Sequence, residues 1–357
     1  MKIQGLKNKI WKLIHGVSLL YRVRSLSKVS HKEVGKRNEG YLEAYFQLMT
    51  INGSVHIFNA ARELKILHVF AKGPKTSLEI ATELDLNHGI LRLLLDGLVE
   101  LKLLEKSNDL YWASPTLLLL KGSYENLGTS YWEHLPEFVR TGVPLVQMNE
   151  KTVAEKEYVG QVESLEWMMS ATAFEAIDLL EIGRRRKGLK ILDIGAGSGI
   201  WSLTMLIKDS GAKATLLDFG EVLKVAKIKA REKNVQNRTS WIEGDFFETP
   251  ISETYDLVIV GNVLHIQSYD KNIELFKKIR SLLSPNGEIL IFDLIPRRDG
   301  NNLMRILYEL GLRIRTKSGK VYKRHEIKNM LTVAGYSRFD FYDLDATPKL
   351  IGLCIAK

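Results

Sequence analysis

Residues 189–199 read Leu189-Lys190-Ile191-Leu192-Asp193-Ile194-Gly195-Ala196-Gly197-Ser198-Gly199. The mostly apolar run 189–192 suits a buried parallel strand, and residues 201–207 beyond the glycines read as a helix. The glycines between them let the backbone turn sharply and come close to a ligand. A dinucleotide fingerprint, G-x-G-x-x-G, needs glycine at position 200, where Ile200 stands. A P-loop needs Gly-Lys-Ser/Thr, which is absent. What remains is an acid on the strand followed by three alternating glycines. That pattern suits a cationic ligand better than a pyrophosphate.

Downstream, further acids recur at the ends of predicted strands. Residues 214–217 read as a second strand ending in Asp218-Phe219, a carboxylate placed to accept both hydroxyls of a ribose. Residues 240–242 read as a third, ending in Gly244-Asp245-Phe246, where Asp245 can accept from an adenine amino group and Phe246 can flank the ring. Residues 255–260 form a fourth, ending in Gly261-Asn262, and residues 288–292 a fifth, introduced by Ser284-Pro285-Asn286-Gly287. A single strand-end aspartate is usually a helix cap. Three acids at three successive ends instead mark the rim where open α/β sheets bind ligands.

These residues, Asp193-x-Gly195-x-Gly197-x-Gly199, Asp218, Gly244-Asp245-Phe246 and the fourth-strand segment, resemble class I S-adenosylmethionine-dependent methyltransferases. With Asn262-Val263-Leu264-His265 and the helical module upstream, the chain is similar to the dimeric small-molecule O-methyltransferases, of plant caffeic-acid type and of bacterial polyketide, carotenoid and bacteriochlorophyll type. The resemblance covers roughly residues 40–357. It implies an α/β Rossmann-like seven-stranded sheet ordered 3-2-1-4-5-7-6 with the last strand antiparallel, in accord with a C-terminal pair of segments at 338–344 and 350–356. It also implies S-adenosylmethionine as cofactor, no metal, and a homodimer. Asp193, Gly195, Gly197, Gly199, Asp218, Phe219, Gly244, Asp245, Phe246 and Asn262 are the expected cofactor contacts.

By the same resemblance His265 is the expected general base and Asp293, ending the fifth strand, its acidic partner. The sulfonium methyl is already activated, so alignment dominates, lowering the barrier by about 7–11 kcal/mol, and a base adds roughly 10²–10⁴-fold. Two departures stand out. Family members continue His-Asp-Trp, whereas this chain continues His265-Ile266-Gln267; and a second acid beside the histidine falls at Val321. Tyr322 or the His325-Glu326 pair are the substitutes nearby. Methylation of carbon or of an already acidic hydroxyl, by proximity alone, is the alternative; a non-catalytic ligand-sensing regulator is another, of a different class. Trp132, Phe138, Trp167, Met168, Met169 and Phe174 are the expected acceptor wall, with a helix around 303–310 closing the other side. Aromatic and methionine residues favour a planar or lipophilic acceptor.

Upstream, residues 41–70 read as helices broken near Asn52-Gly53. Thr76 or Ser77 can cap a helix starting near Leu78; a second helix spans 90–103; and residues 104–106 and 110–113 flank a turn as two strands. Helix, helix, two-stranded wing is the order of a winged-helix module. Residues 71–125 carry six basic and eight acidic side chains, and the second helix has only Arg92 and Lys102 among its leucines. DNA binding needs clustered cations, so the module reads as packing or dimerisation, with no nucleic acid as partner. The organisation expected is an arm at 1–32, a dimerisation domain at 33–125, pocket helices at 126–185 and a catalytic domain at 186–357.

Charge and composition fit that organisation. The chain has 357 residues, a formal charge of +9, 45% apolar residues and one cysteine, Cys354. A disordered chain and a disulfide scaffold are excluded, and a reducing, cytoplasmic setting is expected. Residues 1–32 hold eight basic side chains and no acid, so they carry all but one unit of the excess charge. Ile3, Leu6, Ile10, Leu13, Ile14, Val17 and Leu20 recur there at helical steps. This amphipathic arm fits an in-plane helix on an anionic membrane, a helix packed on a partner subunit, or a targeting peptide.

Overall fold

The computed structural model describes residues 31–120, 125–146, 153, 155, 158–297, 302–346 and 349–357, so the basic arm lies outside the described residues except at its last two positions. The chain divides between Ser114 and Pro115 into two compact units. Residues 126–185, expected as a separate helical segment, thus fall in the same unit as the catalytic sheet.

The first unit begins with α1 (His31–Glu63), a single helix of 33 residues. The break expected at Asn52-Gly53 is not there: an exposed glycine costs a helix only about 1 kcal/mol, and the turns on either side outweigh it. Next come β1 (Lys75–Thr76), α2 (Ser77–Leu84), α3 (His88–Glu100), β2 (Leu104–Ser107) and β3 (Leu110–Ala113). Thr76 caps α2 in a reciprocal box, accepting from the Glu79 N–H at 3.3 Å while Glu79 accepts from the Thr76 N–H at 2.7 Å. Asn87 caps α3, accepting from the Ile90 N–H at 3.0 Å. The wing is a three-stranded sheet ordered β1-β3-β2, and β1 was hidden because two residues carry no alternation to read. Asp96 ties the wing to α3, accepting from Lys106 Nζ at 2.6 Å and Tyr111 Oη at 2.8 Å. Leu91, Leu95 and Leu98 bury one face of α3, but Ile90 and Leu93 are 66% and 69% exposed, so α3 is half-buried rather than wholly core.

The second unit runs α4 (Thr129–Glu133), α5 (Leu135–Thr141), α6 (Val162–Leu179), β4 (Lys190–Ile194), α7 (Ile200–Lys208), β5 (Lys213–Asp218), α8 (Gly220–Glu232), β6 (Thr239–Glu243), β7 (Tyr255–Gly261), α9 (Tyr269–Leu282), β8 (Leu283–Leu294), α10 (Asn302–Arg315), α11 (Arg324–Val333), β9 (Phe339–Asp343) and β10 (Ile351–Ala356). Among the described residues its sheet has seven strands in the order β6-β5-β4-β7-β8-β10-β9. The strands are parallel except β10, which runs antiparallel to both β8 and β9. This is the expected seven-stranded order.

Alternate residues along the central strands feed the two faces, as the period of two dictates. Ile191, Leu257, Ile259 and Leu290 enter one core with α6 and α7. Leu192, Ile194, Val258, Val260 and Ile289 enter the other with α9 and α11. The segment Ser284-Pro285-Asn286-Gly287 does not stand before β8 but is looped out within it, because Tyr255 pairs with Leu283 and Leu257 already with Glu288. The described helices include none long and apolar enough to cross a membrane.

Candidate active site

The carboxyl ends of β4, β5, β6 and β7 converge on a cavity of about 300 Å³. Gly195, Gly197, Asp218, Phe219, Gly244, Asp245, Phe246 and Asn262 all line it. Asp218 is held in place by two backbone donors, with Gly197 N–H 2.8 Å from Oδ2 and Phe219 N–H 2.7 Å from Oδ1. Each oxygen keeps accepting capacity toward the cavity. Burial pushes the Asp218 carboxyl up to about 6, against the lowering effect of those two N–H groups. Asp245 accepts from the Phe247 N–H at 2.8 Å through Oδ1. Asn262, with φ of 60°, lies where the chain leaves β7, and its buried Oδ1 has no partner among the described residues. Gly195 has φ of 64°, and a Cβ there would come within 2.8 Å of Val263, so the loop closes over the cavity only with glycine at that position.

A nucleoside bearing a cationic sulfonium fits this donor set. Asp218 offers two oxygens to a ribose diol, Asp245 an acceptor to an exocyclic amine, and the orphaned Asn262 oxygen an acceptor to an ammonium or N–H group.

Two expected cofactor contacts are placed elsewhere. Asp193 is completely buried and does not line the cavity. Its Oδ2 accepts from Ser202 Oγ at 2.5 Å and from the Ser202 N–H at 3.4 Å, its Oδ1 has no partner, and burial pushes it up to about 7. It braces the first turn of α7 from beneath the loop. Gly199 opens α7 at φ of 77°, and a Cβ there would lie 2.7 Å from Leu216; it is a packing glycine. Among the expected acceptor wall, Met169 lines the same cavity as the glycine loop. Trp167 and Phe174 point outward, 47% and 39% exposed, and Met168 packs on the core. Neighbours on a helix diverge by about 100°, so residues 167–169 cannot share one wall. Trp132 packs over Gly311 of α10 and Phe138 is half-buried on α5.

Val162 and Glu166 carry no sequence signal of their own but line the cavity beside Met169. Val162, Glu166 and Met169 form one stripe on α6 at helical spacing, legible only once that stripe is known to face the loop. Glu166 is anchored by Lys229 at 3.3 Å and Lys233 at 2.7 Å. Lys278 of α9 donates to the carbonyls of Phe246, Phe247 and Thr249 and lies 4.6 Å from the Phe246 ring centroid. That clamp shapes the turn carrying Asp245 and Phe246. Lys278→Met is expected to weaken binding of S-adenosylhomocysteine about tenfold, through loss of about 1–2 kcal/mol of charge-assisted bonding; calorimetry on the folded variant measures it.

Beside the cavity, the turn Leu264–Ile266 carries His265, which is 7% exposed. Its Nδ1 lies 2.8 Å from Asp293 Oδ1. Asp293, the penultimate residue of β8, has three more donors, the N–H groups of Leu264 at 2.9 Å, His265 at 3.4 Å and Leu294 at 2.7 Å. So saturated, the carboxylate fixes the ring as the Nδ1–H tautomer and leaves Nε2 as the acceptor. Nε2 is met by Tyr308 Oη of α10 at 3.0 Å. The nearby candidates for the missing second acid are engaged elsewhere. Tyr322 Oη donates to the Gln267 carbonyl at 2.8 Å, and burial pushes that phenol up to about 12; Glu326 pairs with Lys320 at 2.5 Å. Among the described residues no group of three or more His, Cys, Asp or Glu side chains is placed to hold a metal ion.

Sheet order, cavity at the strand ends and paired His265 and Asp293 define a class I methyltransferase. A family model described as an O-methyltransferase domain matches residues 128–337, more than half of the chain. The chain belongs to this family of S-adenosylmethionine-dependent O-methyltransferases. It is 26% identical to acetylserotonin O-methyltransferase of Bos taurus over 309 residues, covering 78% of this chain and 87% of the relative. It is 24% identical to the N,N-dimethyltransferase OxyT of Streptomyces rimosus over 266 residues, covering 70% and 77%. Its fold matches human N-acetylserotonin methyltransferase in complex with S-adenosylmethionine, with a TM-score of 0.71 at 24% identity over 88% of this chain and 97% of the other.

Proposed function

We propose that this chain transfers the methyl group of S-adenosylmethionine to a hydroxyl of a small aromatic or lipophilic acceptor, with His265 as general base. The observation that carries this reading is the His265 to Asp293 pair, 2.8 Å apart and set between cavity residues Asn262, Val263, Ile266 and Gln267. When bound, S-adenosylmethionine supplies an activated methyl for in-line displacement. Asp218 holds its ribose, Asp245 and Phe246 its adenine, and the Asn262 oxygen its amino acid end. Asp293 orients the imidazole and stabilises its cationic form as the acceptor's proton arrives. A deprotonating array of this kind serves a hydroxyl better than an amine, which already offers a lone pair. Apolar groups on α10, with Leu303, Met304, Ile306 and Leu307 exposed, favour an uncharged acceptor. The test is calorimetry with S-adenosylmethionine and S-adenosylhomocysteine, followed by methyl transfer to phenols, quinols, lipophilic alcohols and matched amines. Absence of cofactor binding overturns the reading, and transfer to amines alone overturns the hydroxyl.

A second copy of this chain is the partner that fits α1. Tyr41, Tyr45, Phe46, Leu48 and Met49 are between 53% and 76% exposed along it, an apolar face too large to be left in water. Analytical ultracentrifugation checks this: a monomer at micromolar concentration argues against it.

A further inference from the structure

We propose that Tyr308 is a catalytic residue, passing the acceptor's proton to His265. The inference rests on the reading of His265 as base. Both imidazole nitrogens are engaged, Nδ1 with Asp293 at 2.8 Å and Nε2 with the Tyr308 phenol at 3.0 Å. The ring is buried, and neither it nor Tyr308 is part of the wall of the cofactor cavity, which Val263 and Ile266 line on either side of Leu264 and His265; what stands in front of the base's lone pair is the phenol. His265 therefore reaches an acceptor hydroxyl either through Tyr308 or after Tyr308 has left. Departure would sacrifice the edge-on contact of the two rings, whose centroids are 5.7 Å apart at 73°, and the packing of Tyr308 on the core. Passage through the phenol sacrifices neither.

With Nδ1–H donated to Asp293, Nε2 has a lone pair and no proton, so the phenol must donate in this bond. A phenol oxygen that donates its proton is still an acceptor, and the acceptor's O–H supplies the next one. The transfer balances as a concerted chain. The acceptor proton moves to Tyr308 Oη as the phenol's own proton moves to Nε2. The freed oxygen pair forms the bond to the methyl carbon, and the carbon–sulfur bond breaks with its pair retained by sulfur. Tyr308 ends as a phenol and His265 as an imidazolium beside Asp293. Tyr308 thus supplies the contact that the acid absent at Val321 does not, reaching the histidine from α10 rather than from the loop before α11.

The test compares Tyr308→Phe with His265→Ala, after calorimetry with S-adenosylhomocysteine has shown that both fold. Tyr308→Phe is expected to lower kcat about tenfold or more, to leave KM for S-adenosylmethionine unchanged, and to lose less with a more acidic acceptor hydroxyl. As a readout independent of turnover, 3-fluorotyrosine at position 308 of the cofactor-free protein is titrated by fluorine NMR. Its resonance is expected to shift when His265 is replaced by Gln, and its lower phenol pKa to move the pH profile of kcat. If His265→Ala is impaired while Tyr308→Phe retains the wild-type rate, the relay is overturned and the base stands. If both retain the wild-type rate, the base reading itself falls. A fluorine resonance indifferent to His265 overturns the relay even where Tyr308→Phe does not fold.

Discussion

His265→Ala is expected to lower turnover about 10²-fold or more while leaving S-adenosylmethionine affinity within about threefold. The split follows from position. The imidazole is buried beside the cofactor cavity without lining it, so its removal takes nothing from the binding wall. Asp293 keeps three backbone donors in the variant, from Leu264, His265 and Leu294. The turn carrying the site is therefore expected to persist. Asp293→Ala is the harsher change: it strips the ring of its orienting acceptor and leaves three buried N–H groups without partners, each costing about 1–3 kcal/mol. Single-turnover rates and cofactor titrations on the same preparations separate the two effects. An unchanged rate in His265→Ala would leave alignment as the whole of catalysis and favour transfer to carbon or to an acidic hydroxyl.

Asp218→Ala is expected to weaken binding of S-adenosylhomocysteine about 10²-fold, from the loss of two charge-assisted hydrogen bonds totalling about 3 kcal/mol or more. The wild type carries a pH signature of the same residue. Burial holds the Asp218 carboxyl at about 6 in the folded protein. The ribose hydroxyls donate to the ionised form, so affinity is lost as pH falls through that value, about tenfold between pH 7 and pH 5. Asp218→Asn should bind more weakly and without that slope. Stability of the unliganded protein runs the other way. Asp193 and Asp218, at about 7 and about 6, hold protons more tightly folded than unfolded. Stability contributed by these groups is present below about pH 4 and is lost as pH rises toward 7. Thermal melts across that range check the sign, and Asp193→Asn should flatten the dependence.

The parts of the site that could be read in advance share a physical property: each is bound to the end of a strand. Asp218, Asp245, Asn262 and Asp293 follow or end apolar runs whose parallel pairing forces their carboxyl ends to one rim of the sheet. The glycine pattern and the apolar periodicity placed Asp218 and Asp245, and the family resemblance supplied the roles of Asn262 and Asp293. Asp193 was misplaced for a reason of the same kind. Sitting within β4 one step before the loop, it points through the pleat toward Ser202 of α7 rather than over the rim. The Asn52-Gly53 break and the missed β1 show the weakness of local punctuation, since a long helix absorbs one glycine and a two-residue strand exists only through its pairing with β3.

Sequence alone determined the sheet, its order through a family resemblance, the rim of acids and glycines, and the neutrality of everything beyond the basic arm. Tertiary structure decided which side chains meet across distance. Tyr308 stands 43 residues from His265 and carries no motif; Lys278 reaches three carbonyls of a loop about thirty residues away; and Met169 faces the cavity while Trp167 and Phe174 face away. Strand periodicity and strand-end position are local properties written in consecutive residues. The rotation of a helix on a sheet, and the partner its side chains find there, are set by packing among elements far apart in the chain.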